Sequence, residues 1–239
     1  MATCQLVRHA TLLVDIADRT LLVDPMLGDP GVDPPIQNSP NEKRNPLLPL
    51  PDVSLDYDAV LVTHRHNDHF DDAAREALSP GVPLYCQPEE ADAFREEGFS
   101  DVRPIDEERA FGEGTITRVP ARHGHGSLAQ AMAPVAGFVI DADTRLYLAG
   151  DTVWYDAVAR TLATHDPDAV VVNAGAAQFT EGKPITMDAE DVDAVRDHTD
   201  GQVIAVHMDA INHCLLTRAD LREAVDDVVV PEDGDRVDI

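Results

Sequence analysis

Thr63-His64-Arg65-His66-Asn67-Asp68-His69-Phe70 carries three histidines and a carboxylate within six residues, directly after the apolar run Ala59-Val60-Leu61-Val62. Imidazole suits zinc, manganese or iron, and an ionised Asp adds a hard, negatively charged oxygen. The chemistry open to such a cluster is the holding of one or two divalent transition ions. Successive strand side chains point to opposite faces, so ligands this dense need the irregular chain that follows a strand. An isolated His is more often packed or solvated than ligating. The density here favours ligation over a loop that is merely rich in histidine.

The elements that must position these groups can be read along the chain. Gln5 to Arg8, Thr11 to Ile16 and Leu21 to Val23 read as strands, the last ended by Asp24-Pro25. Residues 26–51 are rich in Pro, Asn and Asp without sustained period and read as a long irregular excursion, which in a compact domain is commonly functional or disordered. A short helix from Asp71 to Leu78, a strand Val82 to Cys86 and a helix from Pro88 to about Glu97 follow, then strands Val102 to Ile105 and Thr115 to Val119. Strands at 135–140 and 146–149, a helix at 155–164, a strand at 169–172, a helix from Met187 to about His198 capped by Thr186, and a strand at 203–206 complete the core pattern. Thr217 and Asp220 predict a capping box for a last helix. Strand-rich halves with interspersed helices imply two packed sheets covered outside by helices, an α/β (α+β) protein with one four-layer αββα sandwich over residues 1–239. Asp24, His64, His123, Asp151 and His207 each follow an apolar strand-like run, so their strand ends can converge on one edge.

This order of elements and the His-x-His-x-Asp-His cluster resemble the metallo-β-lactamase superfamily over nearly the whole chain. The resemblance implies a first metal site from His64, His66 and His123 and a second from Asp68, His69 and His207. Asp151 of Gly-Asp-Thr would bridge the two, and Asp24 would orient the site from behind the ligands. The expected cofactor is two divalent ions, zinc first, with manganese or iron as alternatives. Spacing alone does not rank His123 against His125; Val119-Pro120-Ala121-Arg122-His123 is the better match to the family's third motif. His125 and His213 are then candidates for substrate contact or proton transfer, beside Asp68 and Asp151. Val206 to His213 is similar to the lactonase-like branch that includes ascorbate-6-phosphate lactonase. His9 and His213 are equally compatible with packing and with a site role, whereas His165 and His198 sit near helix carboxyl ends and read as structural.

The function implied is metal-assisted hydrolysis of a small ester, lactone or phosphoester. A phosphodiesterase or nuclease on the same fold, and a non-catalytic metal-binding member, are the rivals. The net charge of −27, with Lys43 and Lys183 the only lysines, disfavours nucleic acid and anionic membranes as partners, and arginines such as Arg8, Arg44, Arg65, Arg103 and Arg122 are scattered. The redox use of this fold replaces the middle His with Glu and needs a flavin; His66 is present and no flavin-binding module follows. Acid-rich, lysine-poor composition fits a salt-loving cytoplasm, where screening at molar salt acts over about 3 Å. Three distant cysteines, Cys4, Cys86 and Cys214, fit a reducing compartment. No stretch approaches the roughly 20 apolar residues of a membrane helix, and no signal peptide is read at Met1 to Gln5. A small-molecule substrate is the expected partner, and self-association is left open.

Overall fold

A computed structural model describes residues 2–132 and 134–239. In chain order the elements are β1 (Thr3–Arg8), β2 (Thr11–Ile16), β3 (Arg19–Val23), β4 (Ala59–Leu61), α1 (Asp72–Ala77), β5 (Leu84–Cys86), α2 (Ala91–Glu96), β6 (Val102–Pro104), β7 (Glu108–Phe111) and β8 (Gly114–Pro120). The second half continues with α3 (Gly126–Ala131), β9 (Ala136–Asp141), β10 (Arg145–Leu148), α4 (Asp156–His165), β11 (Ala169–Asn173), α5 (Ala189–Arg196), β12 (Gln202–Val206), α6 (Arg218–Ala224), β13 (Val228–Val229) and β14 (Arg236–Asp238).

Apolar pattern explains why the strands form two layers. β4 and β11 are buried along their whole length, the pattern of parallel strands covered on both faces. Their residues alternate between cores: Leu61 and Val171 join Val23, Leu148 and Val206 between the sheets, while Val60 faces α1 and Val170 and Val172 face α4 and α5. One sheet has the order β14-β1-β2-β3-β4-β5-β6 and the other β13-β12-β11-β10-β9-β8-β7. From β14 to β6 the pairings run antiparallel three times and then parallel three times. From β7 to β13 the same succession recurs. β14 therefore takes in its sheet the place that β7 takes in the other.

The helix predicted to be capped by Thr186 begins later. Asp188 is the N-cap, its side chain accepting from the Asp191 N–H, because Met187 is still extended and donates its N–H to Asn173 O. Thr186 Oγ1 instead accepts from Ala177 N–H at 2.9 Å. The capping box at Thr217 and Asp220 forms at the start of α6. β7, β13, β14 and α3 are additions to the sequence reading. β7 and β14 are edge strands with exposed polar side chains, which carry little of the apolar periodicity that marks a strand.

Candidate metal centre

The parallel strands β3, β4, β10, β11 and β12 end along one edge, and each delivers a polar residue to it. Asp24 follows β3 with a left-handed φ of 43°. Its Oδ1 accepts the Thr63 N–H at 2.7 Å, and its Oδ2 accepts Thr63 Oγ1–H and His69 Nδ1–H, each at 2.7 Å. One buried carboxylate thus sets both the loop after β4 and one imidazole. The loop turns where His69 and Phe70 N–H both meet His66 O at 2.9 Å. Phe70, fully buried, anchors it against Phe94 and Phe99.

The outer nitrogens of four buried site imidazoles, His64, His69, His123 and His207, are engaged. Thr63 Oγ1 gives its proton to Asp24, so at 3.1 Å it accepts from His64 Nδ1–H. His123 Nδ1 donates to Ile185 O at 2.9 Å, and His207 Nδ1 lies 3.6 Å from Cys214 Sγ. These partners place the ring proton of His64 and His123 on Nδ1 and leave their Nε2 as bare lone pairs.

Those lone pairs converge. His64, His66, His123 and Asp151 form one group, and His9, Asp68, His69 and His207 another, with ligand atoms in each group within 4.8 Å of one another. His64 Nε2 and His66 Nδ1 are 2.9 Å apart, and His69 Nε2 and His207 Nε2 3.2 Å. Asp151 Oδ2 lies 3.3 Å from His123 Nε2 and 3.8 Å from His64 Nε2, while its Oδ1 lies 3.4 Å from both His69 and His207 Nε2. Asn173 Nδ2 donates to the same Oδ1 at 2.7 Å. Nitrogen lone pairs that face each other in a dry interior repel unless a cation lies between them. These spacings are those of ligands roughly 2.0–2.2 Å from a common ion, so the residues fit a divalent metal.

Electrostatics agree with that demand. Burial drives His64 and His207 well below the ordinary imidazole range, and neighbouring imidazoles push the same way. Burial also works against charge on His69, yet Asp151, Asp24 and Asp68 raise it well above its usual value. A metal would replace that proton, since ligating imidazoles are neutral. Burial would raise Asp68 and Asp151; for Asp68, His69, His9 and His207 prevail, and for Asp151, His207, His69 and His123 prevail, so both are held well below the carboxylate range.

His9 joins the second group, which the ambiguous Arg8-His9-Ala10 turn did not disclose; its fully buried ring and left-handed φ of 62° are visible only in the fold. His213 is buried nearby, with Phe179 at 6.1 Å between ring centroids and with Nδ1 lacking a hydrogen-bond partner among the described residues. His125 is exposed at the N-cap of α3 and belongs to neither group. His198 packs at a tilt against Trp154 and His165 ends α4, both outside the two groups, and Lys183 is exposed. Thr63 and Asn173 are partners of the cluster that sequence reasoning passed over, although Asn173 stands at a strand end like the others.

The 26–51 excursion is held against this edge. The buried Arg8 guanidinium donates to Met26 O, Gly28 O and Leu48 O at 2.7, 3.0 and 2.9 Å. Asn212 Oδ1 accepts Asn45 Nδ2–H and Ile36 N–H, and its Nδ2 donates to Ser39 Oγ and Asn41 O. A cavity of about 360 Å³ opens between the excursion and the site, lined by Met26, Asp33, Pro34, Ile36, Asp68 and Ile211 among others.

Beneath the loop after β4, Glu90 Oε1 accepts Arg65 N–H at 2.8 Å while the buried Oε2 has no partner among the described residues. Burial raises this carboxyl from its ordinary 4.5 to about 7. A folded-state pKa above the unfolded one gives stability that is complete below pH 4.5 and declines as pH rises through about 7. Glu90→Gln keeps the acceptor and removes the charge. Denaturant unfolding of both proteins across this range should find them alike near pH 4 and the variant more stable by about 3 kcal/mol at pH 8. A difference that does not change with pH would dismiss the buried charge as its cause.

Residues 19–208 match the sequence profile of the β-lactamase superfamily domain. The chain belongs to that family. Among its β-lactamase superfamily relatives, UPF0173 protein YddR of Bacillus subtilis (strain 168) is 36% identical, with 96% of each chain covered. UPF0173 metal-dependent hydrolase Ta0764 of Thermoplasma acidophilum is 28% identical over 67% of this chain and 65% of its own length. The crystal structure of isothiocyanate hydrolase from Delia radicum gut bacteria superposes with a TM-score of 0.93 at 33% identity, covering 99% of both chains. This β-lactamase superfamily member is a metal-dependent hydrolase with a metallo-β-lactamase-fold sandwich, and its His/Asp clusters could bind metal. No helix among the described residues is long and apolar enough to cross a membrane.

Proposed function

We propose that the chain is a binuclear metal-dependent hydrolase acting on the electrophilic carbon of a small, uncharged substrate, an ester, lactone or isothiocyanate. The observation that carries the binuclear reading is the Asp151 carboxylate, whose two oxygens face the two ligand groups separately. His64, His66 and His123 would hold one ion and Asp68, His69 and His207 the other, with Asp151 shared. When bound, such ions supply hydroxide at neutral pH and a Lewis acid for the substrate oxygen or sulfur. Zinc suits this nitrogen-rich donor set, and manganese or iron remain compatible with it.

The protein's own groups do the rest. Asp151, held by Asn173, orients the attacking water. The cavity beside Asp68 takes the apolar part of the substrate against Met26, Pro34, Ile36 and Ile211. No Lys or Arg is among the residues lining it, and Asp33 adds negative charge, which disfavours the phosphoesters that the rival phosphodiesterase reading requires. The isothiocyanate class is supported by the similarity to a structure bearing that activity, and the lactone class by the stretch from Val206 to His213. His213, buried beside Phe179, is the better candidate for proton delivery to the leaving group than the exposed His125. The acidic composition supports a salt-rich cytoplasm as the working environment.

The test is metal content by mass spectrometry on protein prepared in high salt, followed by turnover of an aryl isothiocyanate, a γ-lactone and bis-nitrophenyl phosphate. Two ions per chain with hydrolysis of either neutral substrate supports the reading. Cleavage of the phosphodiester alone would transfer it to the phosphodiesterase rival, and metal-loaded protein inert to all of these to a non-catalytic role.

A further inference from the structure

We infer that His9 is a positioning residue for Asp68, which it holds by a hydrogen bond from Nε2–H, and is not itself a metal ligand. The inference rests on the binuclear reading above. His9 is fully buried, and its Nε2 lies 3.2 Å from Asp68 Oδ2. Its Nδ1 is buried without a hydrogen-bond partner among the described residues. A neutral imidazole has one donor and one acceptor nitrogen. Were the proton on Nδ1, a buried N–H would be left unpaired and a lone pair would face a carboxylate. With the proton on Nε2, the contact becomes a charge-assisted hydrogen bond and only a lone pair is unused.

The same atoms argue against ligation. A ligating imidazole gives its lone pair to the ion and donates its other N–H to a partner. Among the fully enclosed imidazoles, where water cannot serve as the partner, His64, His69, His123 and His207 each have one at Nδ1, and the equally buried His9 has none among the described residues. The fold also fixes where His9 can reach. Its backbone and that of His207 are both left-handed, at φ 62° and 71°, and are tied by the His207 N–H to His9 O bond at 2.9 Å. The two rings pack with centroids 3.6 Å apart. Ring and carbonyl of one residue thereby align Asp68 and His207, both of the second group.

The experiment is stepwise titration of metal-free protein with zinc against a chromophoric chelator, with wild type, His9→Phe and His9→Gln, and with Co(II) spectra of each. Phe keeps the ring and loses the donor; Gln places an N–H near the position of Nε2. The expected result is a second-ion affinity lowered roughly 10–100-fold in His9→Phe, with the first ion unchanged, and largely restored in His9→Gln. The fully loaded cobalt spectrum should keep its band intensity across the three proteins. A wild type that takes up one ion overturns the binuclear reading and this inference with it. Two ions in wild type and equal affinity in His9→Phe overturn this inference alone. Failure of Gln to restore, with an altered cobalt band, makes His9 a ligand. Equal weakening of both ions with a lower Tm of the metal-free protein reduces it to a packing role.

Discussion

Asp151→Ala is expected to lower bound metal from two ions per chain to one or none and to reduce kcat/KM on the order of a thousand-fold or more. Loss of a partner standing behind a ligand already costs roughly 10–100-fold in affinity or activity, and Asp151 faces both groups directly. It is 2% exposed, so no water replaces it cheaply. Without it His123 and His64 lose the only carboxylate in their group, and Nε2 of His69 and of His207 keeps only Asp68. Mass spectrometry of native protein reads the stoichiometry, and far-ultraviolet circular dichroism checks that the fold persists. A folded variant that retains two ions would refute the shared-carboxylate reading.

Asn212→Ala should loosen the substrate pocket without disturbing the ligands. Alanine removes the acceptor of Asn45 Nδ2–H and Ile36 N–H and the donor to Ser39 Oγ and Asn41 O, leaving one buried and three half-buried polar groups unmatched. Groups stranded in this way cost about 1–3 kcal/mol each when water cannot reach them, so a total of about 2–4 kcal/mol is expected. The 26–51 excursion would keep its bonds to the backbone of residues 210 and 212 and lose the side-chain half of its attachment to the loop after His207. KM should rise about tenfold, equal to about 1.4 kcal/mol of lost binding, while kcat and metal content change little. Steady-state kinetics and denaturant unfolding read the two effects. An unchanged KM in a destabilised variant would separate the excursion from substrate binding.

The fold was legible because its parallel strands are continuous apolar runs and because the residues that follow them are chemically conspicuous. Thr63 to Phe70 and Gly150-Asp151-Thr152 stand out in any reading of the chain. His9 did not, since Arg8-His9-Ala10 resembles a simple hairpin turn and its aim toward Asp68 comes from a left-handed backbone that His seldom adopts. The role of residues 26–51 was equally hidden. Their position depends on Arg8 and Asn212, which meet them across the fold and leave no periodic trace. The edge strands β7 and β14 escaped for want of apolar alternation, and with them the matched succession of pairings in the two sheets.

The division of the candidate ligands between the sheets has a consequence for the lifetime of the molecule. His64 and His66 hang from one sheet and His123 and Asp151 from the other; Asp68 and His69 face His207 in the same way. Bound ions would therefore rivet two layers otherwise joined by side-chain packing and a few hydrogen bonds, such as that from His207 N–H to His9 O. Any ligand that binds only the closed form stabilises it by mass action, by about 2.7 kcal/mol at a free concentration 100 times its Kd. Metal supply would then govern how often this edge opens to a protease. The chain would persist where metal is plentiful and be cleared where metal is scarce, so that its abundance follows its capacity to work.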